Sequence, residues 1–205
     1  MPQDDTSRAR IDQDDRELVR RSCSGNEAAF TSLVGRYAAS LVNLAFRILR
    51  DHDEAQDVSQ ESFIKAHDAL ARYDPAYPFR VWLFRIAHNT AIDHLRRRRG
   101  GMVSLDAPRR VGDAEVEWEL VDESTPAPDA GAAGRDRTER LDRAIARLPP
   151  SLRAAIVLRH VEDLTYDEIA TALNVPLGTV KIRIHRGREA LARLLKREHV
   201  EGELE

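Results

Sequence analysis

The sequence predicts an all-α fold of two small helical domains joined by an extended acidic linker. In two blocks, residues 1–100 and 137–205, apolar residues recur at the spacing of amphipathic helices, and no segment alternates like a strand. Residues 101–136 keep no sustained period and are rich in proline, small residues and acids, which is typical of an extended linker. The 42% hydrophobic content is too high for a fully disordered chain and is compatible with a packed core.

The first block is predicted to hold three helices and one loop. Asn26 can cap the first of these helices, and Asp51 or Asp53 can cap the next. Two prolines make residues 73–78 a loop, and the third helix ends in four arginines, 96–99, followed by two glycines. The apolar face of the helix after Asn26 is formed by Phe30, Leu33, Val34, Tyr37, Leu41, Leu44 and Ile48.

The second block is predicted to end in a helix-turn-helix. Two adjacent prolines close one helix, and Ser151 starts the next. Thr165 and Glu168 match the capping-box pattern of a helix start, and Asn174 can adopt the left-handed conformation of a tight turn. After Pro176 a basic helix follows, which completes the motif. The predicted buried face of this last helix consists of Val180, Ile184, Leu191 and Leu194.

Charge is segregated along the chain. The net charge of -3 argues against a nucleic-acid binder, which is usually basic overall. Local counts differ from this total: residues 79–110 carry +6, residues 111–139 carry -7, and residues 176–197 carry +6. Two cationic segments therefore flank an acidic one, and each cationic segment suits a polyanionic partner.

Five of the 11 aromatic residues (5 Phe, 4 Tyr and 2 Trp) lie immediately before or within the first cationic segment. They are Tyr73, Tyr77, Phe79, Trp82 and Phe84. One interpretation is a core plug where two helices meet. The other is a stacking surface for unpaired bases, on which each stack contributes about 1–3 kcal/mol. The pattern alone leaves both interpretations open.

The last helix has the features of a recognition helix. Because Val180 and Ile184 face the core, four side chains should point outward and two cations should flank them. The outward residues are Lys181, Ile182, His185 and Arg186, and the flanking ones are Arg183 and Arg188. A solvated helix face is the alternative, but the capping box, the turn and the local charge together favour binding in a DNA major groove.

Asp57, Gln60, Glu61 and Ile64 share one side of their predicted helix. A solvated face is the default interpretation, and a docking surface for a basic partner is the sharper one. A metal or acid–base pair is disfavoured because no histidine or third ligand converges on these carboxylates. The single cysteine, Cys23, excludes an internal disulfide and is expected to pack in a helix. We expect no metal, no cofactor and no enzymatic activity.

Neither a signal peptide nor a membrane helix is expected. Residues 1–21 are studded with Asp and Arg, and no apolar run approaches the ~20 residues that a spanning helix needs. The sequence is therefore expected to be cytoplasmic and not inserted in a membrane.

Six short motifs, read together, resemble the extracytoplasmic-function group of bacterial sigma factors in the sigma-70 family. The first block carries DVSQESF at 57–63, FRVWLFRIAHN at 79–89 and DHLRR at 93–97, and the second carries LPP at 148–150, YDEIA at 166–170 and PLGTVK at 176–181. The resemblance implies a dissociable promoter-recognition subunit of RNA polymerase. A stand-alone helix-turn-helix regulator is the alternative, but it leaves the aromatic loop and the carboxylate face unused.

The resemblance also implies a role for each surface. Asp57, Gln60, Glu61, Phe63 and Ile64 would dock on the clamp helices of the largest polymerase subunit. Contacts to the unpaired -10 element would come from Tyr73, Asp74, Tyr77, Phe79, Arg80, Trp82, Asn89, Asp93, Arg96 and Arg97. Contacts to the -35 element would come from Thr179, Lys181, Ile182, Arg183, His185, Arg186 and Arg188.

Further partners are implied in the same way. The second domain would contact the polymerase flap, and the acidic linker would thread the basic channel through which RNA later passes. An anti-sigma factor would regulate the protein.

Overall fold

The computed structural model describes residues 3–99 and 133–202, and every regular element in these two ranges is helical. The α-helices are α1 (Gln3–Cys23), α2 (Glu27–Leu49), α3 (His52–Ala69), α4 (Phe79–Arg99), α5 (Ala133–Ala146), α6 (Pro150–His160), α7 (Tyr166–Leu173) and α8 (Leu177–Gly202). A 3-10 turn, Leu70–Arg72, follows α3. The all-α prediction is confirmed. Most of the predicted linker lies outside the described residues.

Helix α1 was not predicted, because polar groups anchor much of it. Asp15 is fully buried, and its carboxylate accepts hydrogen bonds from the hydroxyl of Tyr37 and the guanidinium of Arg36. Burial is the main reason that the pKa of Asp15 is raised. A periodicity search sees apolar residues and misses such an anchor.

The predicted helix starts of the first domain are confirmed. Asn26 Oδ1 accepts a hydrogen bond from the Ala29 amide at 3.1 Å. Asp51, the first of the two candidates, caps α3 through a 2.9 Å bond from the Glu54 amide to its Oδ1. Short polar side chains at these positions satisfy amides that have no partner within the helix.

One expectation about the first domain is wrong. Cys23 is exposed at the last position of α1 and does not pack in the core. The turn that follows it faces solvent, because Ser24 and Gly25 already leave the helix there.

The second domain forms the predicted helix-turn-helix from α7 and α8. Both halves of the capping box are present: the Glu168 amide bonds to Thr165 Oγ1 at 3.2 Å, and the Thr165 amide bonds to Glu168 Oε2 at 2.8 Å. Asn174 ends α7 in the left-handed conformation with φ 53°. Helix α6 begins at Pro150, one residue before the predicted Ser151, because proline fits the first helical position.

Helices α8 and α6 approach each other closely at Gly187. A Cβ at this position would lie 2.6 Å from Ile156 Cγ1, well inside van der Waals contact. The absence of a side chain therefore lets the recognition-helix candidate lie directly on α6.

The two domains pack against each other. One core cluster contains buried residues from both, including Leu44 on α2 and Val157 on α6. Helix α4 contacts α7, and α2 contacts α6. Arg153 is 6% exposed and donates across the junction to the carbonyl oxygens of Arg47 at 2.7 Å and Ile48 at 3.2 Å. We call this the closed arrangement.

No helix in residues 3–99 and 133–202 is both long and apolar enough to cross a membrane. In the same ranges, no group of three or more His, Cys, Asp and Glu side chains could hold a metal ion.

Candidate nucleic-acid interface

The first half of α8 presents a cationic face to solvent. Val180 and Ile184 are buried against the domain core, which turns the intervening residues outward as predicted. Ile182 is 54% exposed at the centre of this face. Around it, Lys181, His185, Arg186 and Arg188 are exposed, and Thr179 and Arg183 are half-buried. The face has the cations and the protruding central side chain that a major groove accepts.

Arg183 lies at the edge of this face, near His88 on α4. His88 is partly buried, and its Nδ1 has no hydrogen-bond partner among the described residues. Burial lowers the pKa of His88 to about 4, and the positive charge of Arg183 lowers it further. At neutral pH, Arg183 therefore faces a neutral imidazole on α4.

Three rings interlock where the loop at 73–78 enters α4. The ring centroid of Tyr73 lies 5.7 Å from that of Phe79 and 5.3 Å from that of Trp82, and the centroids of Phe79 and Trp82 are 5.7 Å apart. Phe79 is 0% exposed, so it belongs to the core together with Phe84. Tyr77, in contrast, is half exposed.

The aromatic rings divide between the core and the surface. Phe79 is enclosed by Tyr37, Tyr73 and Trp82 and has no surface left for a base in this arrangement. Tyr73 and Trp82 are half-buried and Tyr77 is exposed, which leaves a stacking edge beside the loop.

Hydrogen bonds shape this loop. The Tyr73 hydroxyl donates to the Tyr77 carbonyl oxygen at 2.5 Å, and Asp74 Oδ1 accepts from the Ala76 amide at 2.9 Å. Burial raises the pKa of Tyr73 to about 12, so its hydroxyl stays protonated and keeps donating.

The polar residues expected beside the loop differ in exposure. Asn89, Arg96 and Arg97 are exposed along α4, and Asp93 lies 3.9 Å from Arg96. Arg80 is 13% exposed, and its Nη2 lies 2.7 Å from Oε1 of Glu168 on α7. In the closed arrangement Arg80 is thus held by the second domain.

The carboxylate face of α3 points to solvent. Asp57 and Gln60 are exposed, and Ile64 is 62% exposed. Glu61 accepts from Lys65 at 2.8 Å and lies 2.9 Å from Nε2 of His94. These two hydrogen bonds hold the pKa of Glu61 below its usual value.

Phe63, expected on the same docking face, points the other way. It is 8% exposed and packs edge-on against Phe30 with ring centroids 6.5 Å apart. Phe63 therefore supports α3 from the core side. Consecutive residues of a helix point in different directions, so Phe63 can face the core while its neighbour Ile64 faces solvent.

Comparisons with known proteins match both domains. The family model described as sigma-70 region 2 matches residues 33–100, and the model described as sigma-70 region 4 matches residues 138–191. The RNA polymerase sigma-H factor of Pseudomonas aeruginosa is 38% identical over 90% of this chain and 95% of its own length. The ECF RNA polymerase sigma factor SigW of Bacillus subtilis is 32% identical over 88% of this chain and 96% of its own length.

The chain belongs to the sigma-70 family. It is an RNA polymerase sigma factor of the extracytoplasmic-function group, because relatives that carry that description match almost its full length. The solved structure of CnrH in complex with the cytosolic domain of CnrY has a TM-score of 0.64 to this sigma factor. It is 29% identical and covers 89% of this chain and 97% of that one.

Sequence reasoning missed the residues that join the two domains of the sigma factor. Glu168 was interpreted only as a helix cap, although its other oxygen binds Arg80, which lies 88 residues earlier. Arg153, which donates to the carbonyl oxygens of Arg47 and Ile48, carried no local signal at all. Contacts at such separations leave no mark in periodicity or in capping patterns.

Proposed function

We propose that this sigma factor binds core polymerase, recognises -10 and -35 promoter elements, and promotes strand opening, through three separate surfaces of the described chain. The single observation that carries the assignment is the exposed cationic half of α8, which follows a capped helix and a left-handed Asn174. This is the arrangement in which a helix-turn-helix offers side chains to base edges.

The -35 surface would consist of Thr179, Lys181, Ile182, Arg183, His185, Arg186 and Arg188. Exposed cations at the rim would bind phosphates, and the residues at the centre would meet base edges. Ile182, the most protruding apolar residue there, fits the methyl group of a thymine.

The -10 surface would consist of Tyr73, Asp74, Tyr77, Trp82, Asn89, Asp93, Arg96 and Arg97, with Arg80 beside them. Tyr77 and the edges of Tyr73 and Trp82 would stack on unpaired bases, and the arginines would hold the adjoining phosphates. We place Phe79 behind this surface, as the buried ring that fixes Tyr73 and Trp82. Capture of unpaired bases would supply part of the few kcal/mol that each extruded base costs.

The polymerase surface would consist of Asp57, Gln60, Glu61 and Ile64, with Phe63 positioning it from the core. An exposed isoleucine surrounded by acidic and amide groups suits a basic partner with an apolar centre. The partner proposed for it is the clamp-helix region of the largest polymerase subunit, with the flap contacting the second domain.

We further propose that the protein works in the cytoplasm and is silenced by an anti-sigma factor. The structure of CnrH with the cytosolic domain of CnrY supports a protein partner for a chain of this fold.

Reconstituted transcription tests the proposal. Core polymerase with this protein should initiate RNA at defined start sites, and sequencing of those RNA ends gives the two promoter elements. Failure to bind core polymerase, or to start RNA at any promoter, would contradict the assignment. Equal duplex-DNA binding with and without polymerase would favour a stand-alone regulator.

A further inference from the structure

Among the described residues, Arg80 and Glu168 form an enclosed ion pair between the two domains. Arg80 Nη2 donates to Glu168 Oε1 at 2.7 Å, and the two side chains are 13% and 17% exposed. A charge-assisted hydrogen bond with so little solvent around it is stronger than a surface salt bridge. The pair joins the start of α4 to the first turn of α7.

A second carboxylate competes for the same guanidinium. Asp12 on α1 lies 3.8 Å from Arg80 Nε, yet its Oδ1 and that Nε are buried with no hydrogen-bond partner among the described residues. Burial raises the pKa of Asp12, and the charge of Glu168 adds to that rise. Glu168, at 2.7 Å, is therefore the closer of the two carboxylates and the one that hydrogen-bonds to the guanidinium.

Glu168 can leave without unfolding its own helix. Its Oε1 binds Arg80, while its Oε2 accepts from the Thr165 amide in the capping box. The two functions use different oxygens. The bond to Arg80 can therefore break while the start of α7 stays capped.

We infer that Glu168 is an internal competitor of DNA phosphate for Arg80, and that the closed arrangement withholds this arginine from single-stranded DNA. Carboxylate and phosphate bind the same guanidinium fork, so Arg80 serves one of them at a time. This inference rests on the proposed -10 surface. It assigns a regulatory role to Glu168, which lies outside all three proposed surfaces.

The other surfaces remain exposed while Arg80 is withheld. The α3 face around Ile64 and the α8 face around Ile182 both point to solvent in the closed arrangement. The closed protein can therefore meet polymerase and duplex DNA first. Single-stranded DNA gains Arg80 only after α7 moves away from α4.

The pair does not act alone at the junction. Arg47 lies 2.7 Å from Asp142, Arg85 donates to Asn174 Oδ1 at 3.4 Å, and Arg153 bonds to carbonyl groups of α2. Loss of the Glu168 charge should therefore shift the balance between closed and open forms without abolishing the closed one.

The chain offers a well-matched pair of variants. Glu168→Gln removes the charge but keeps a side chain that can complete the capping box. Asp167→Asn removes the same charge from the neighbouring, exposed position in the same turn. Both variants remove one acidic charge from the first turn of α7, and glutamine can still accept the Thr165 amide, so a difference between them in domain separation reports on Arg80.

The experiment measures opening and DNA binding separately in the full-length chain. Fluorescent dyes on Asp68→Cys and Arg193→Cys, in a Cys23→Ser background, report the distance between exposed points of the two domains. A fluorescein-labelled 12-nucleotide oligothymidylate reports single-strand binding without assuming a promoter sequence. Glu168→Gln should lower energy transfer and tighten oligothymidylate binding by about three- to tenfold, while Asp167→Asn matches the parent.

Each outcome decides the inference. Unchanged energy transfer in Glu168→Gln would overturn it, whatever the oligonucleotide does. Lower transfer without tighter binding would also overturn it, because Arg80 would then be released without any gain for DNA. Initiation by polymerase with the unaltered chain tests the proposed function independently, so the two can fail separately.

Discussion

At the scale of single residues, the surroundings of an arginine decide its role. Arg153 is almost fully buried and donates to carbonyl groups of its own domain and of α2. Arg80 is largely enclosed and lies against two carboxylates, and Arg186 is exposed on α8. A buried guanidinium organises the fold, whereas an exposed one lies on the surface that a polyanion can reach.

Arg186→Ala tests whether an exposed arginine of α8 contacts DNA. We expect weaker binding to -35 duplex DNA, with the slope of log K against log salt reduced by about one, since one phosphate contact is lost. Binding is measured by titration at several salt concentrations. Arg193→Ala, on an exposed position two turns further along α8, is the control and should leave the slope unchanged. Identical slopes for both variants would remove Arg186 from the interface.

His88 predicts a pH dependence of stability. Its pKa is about 4 in the folded chain, below the ordinary 6.5, because burial and Arg183 disfavour the imidazolium. The unfolded chain therefore binds the proton first. The stabilising contribution of neutral His88 is complete above pH 6.5 and is lost as the pH falls towards 4.

Urea unfolding from pH 7.5 to pH 4 measures this dependence. The decrease in the free energy of unfolding should be smaller in His88→Gln than in the parent, and the difference isolates His88 from the carboxylates. Parallel curves for the two proteins would contradict the assignment.

Residue-scale predictions from sequence succeeded where the physics is local. Asn26, Asp51 and Thr165 were predicted as caps, and each makes its bond within three residues of itself. Cys23 was predicted to be packed and is exposed, because its burial would have depended on distant chain that does not cover the end of α1.

At the scale of helices, the contact between α8 and α6 sets the position of the cationic face. Gly187 lies against Ile156, so any side chain there pushes α8 outward. Gly178, near the start of the same helix, has open space where a Cβ would lie.

This pair of glycines gives opposite predictions. Gly187→Ala should lower the free energy of unfolding by about 1–3 kcal/mol through overpacking. Gly178→Ala should raise it by about 0.5–1 kcal/mol, since alanine favours the helix and meets no neighbour. Thermal and denaturant unfolding measure both. Equal effects would show that α8 is not held against α6 at Gly187.

The α3 face offers a second element-scale test. Glu61→Lys places a cation beside Lys65 and reverses the charge that a basic partner would meet, so affinity for core polymerase should fall by about tenfold. Fluorescence titration measures the affinity, and far-UV circular dichroism checks that the helices persist. Asp68→Lys, exposed near the end of the same helix, is the control. Undiminished binding of Glu61→Lys would exclude this face.

Helix α2, which has a regular apolar stripe, could be predicted from sequence, whereas helix α1, which lacks one, could not. The residues predicted to form the face of α2 are buried or half-buried in the fold. Helix α1 is fixed by a polar anchor in which Asp15 bonds to Arg36 and Tyr37, both more than twenty residues further along the chain.

At the scale of the whole molecule, the two domains share one core. The guanidinium of Arg153 bridges them, because it donates to carbonyl groups at the ends of α2 and α5. The sequence indicated two domains but not their packing, since the decisive contacts connect residues about a hundred positions apart.

Arg153→Leu should therefore destabilise more than its own helix. Loss of the guanidinium leaves buried carbonyl oxygens without donors on both sides of the junction, and the free energy of unfolding should fall by roughly 2–4 kcal/mol. Denaturant unfolding followed by tryptophan fluorescence and by far-UV circular dichroism measures the loss. Arg159→Leu, on the same helix with one carbonyl acceptor in its own domain, should cost less. Equal losses would contradict a bridging role for Arg153.

The reach of Arg153 also orders events while the protein is being made. The carbonyl groups of Arg47 and Ile48 are synthesised about a hundred residues before Arg153, which donates to them in the folded protein. At 5–20 residues per second, that interval lasts roughly 5–20 s. During it the newly made first domain stands alone, with Arg80 not yet met by Glu168. In the freshly translated chain Arg80 would therefore be accessible to nucleic acid until Glu168 has been synthesised and the second domain has folded.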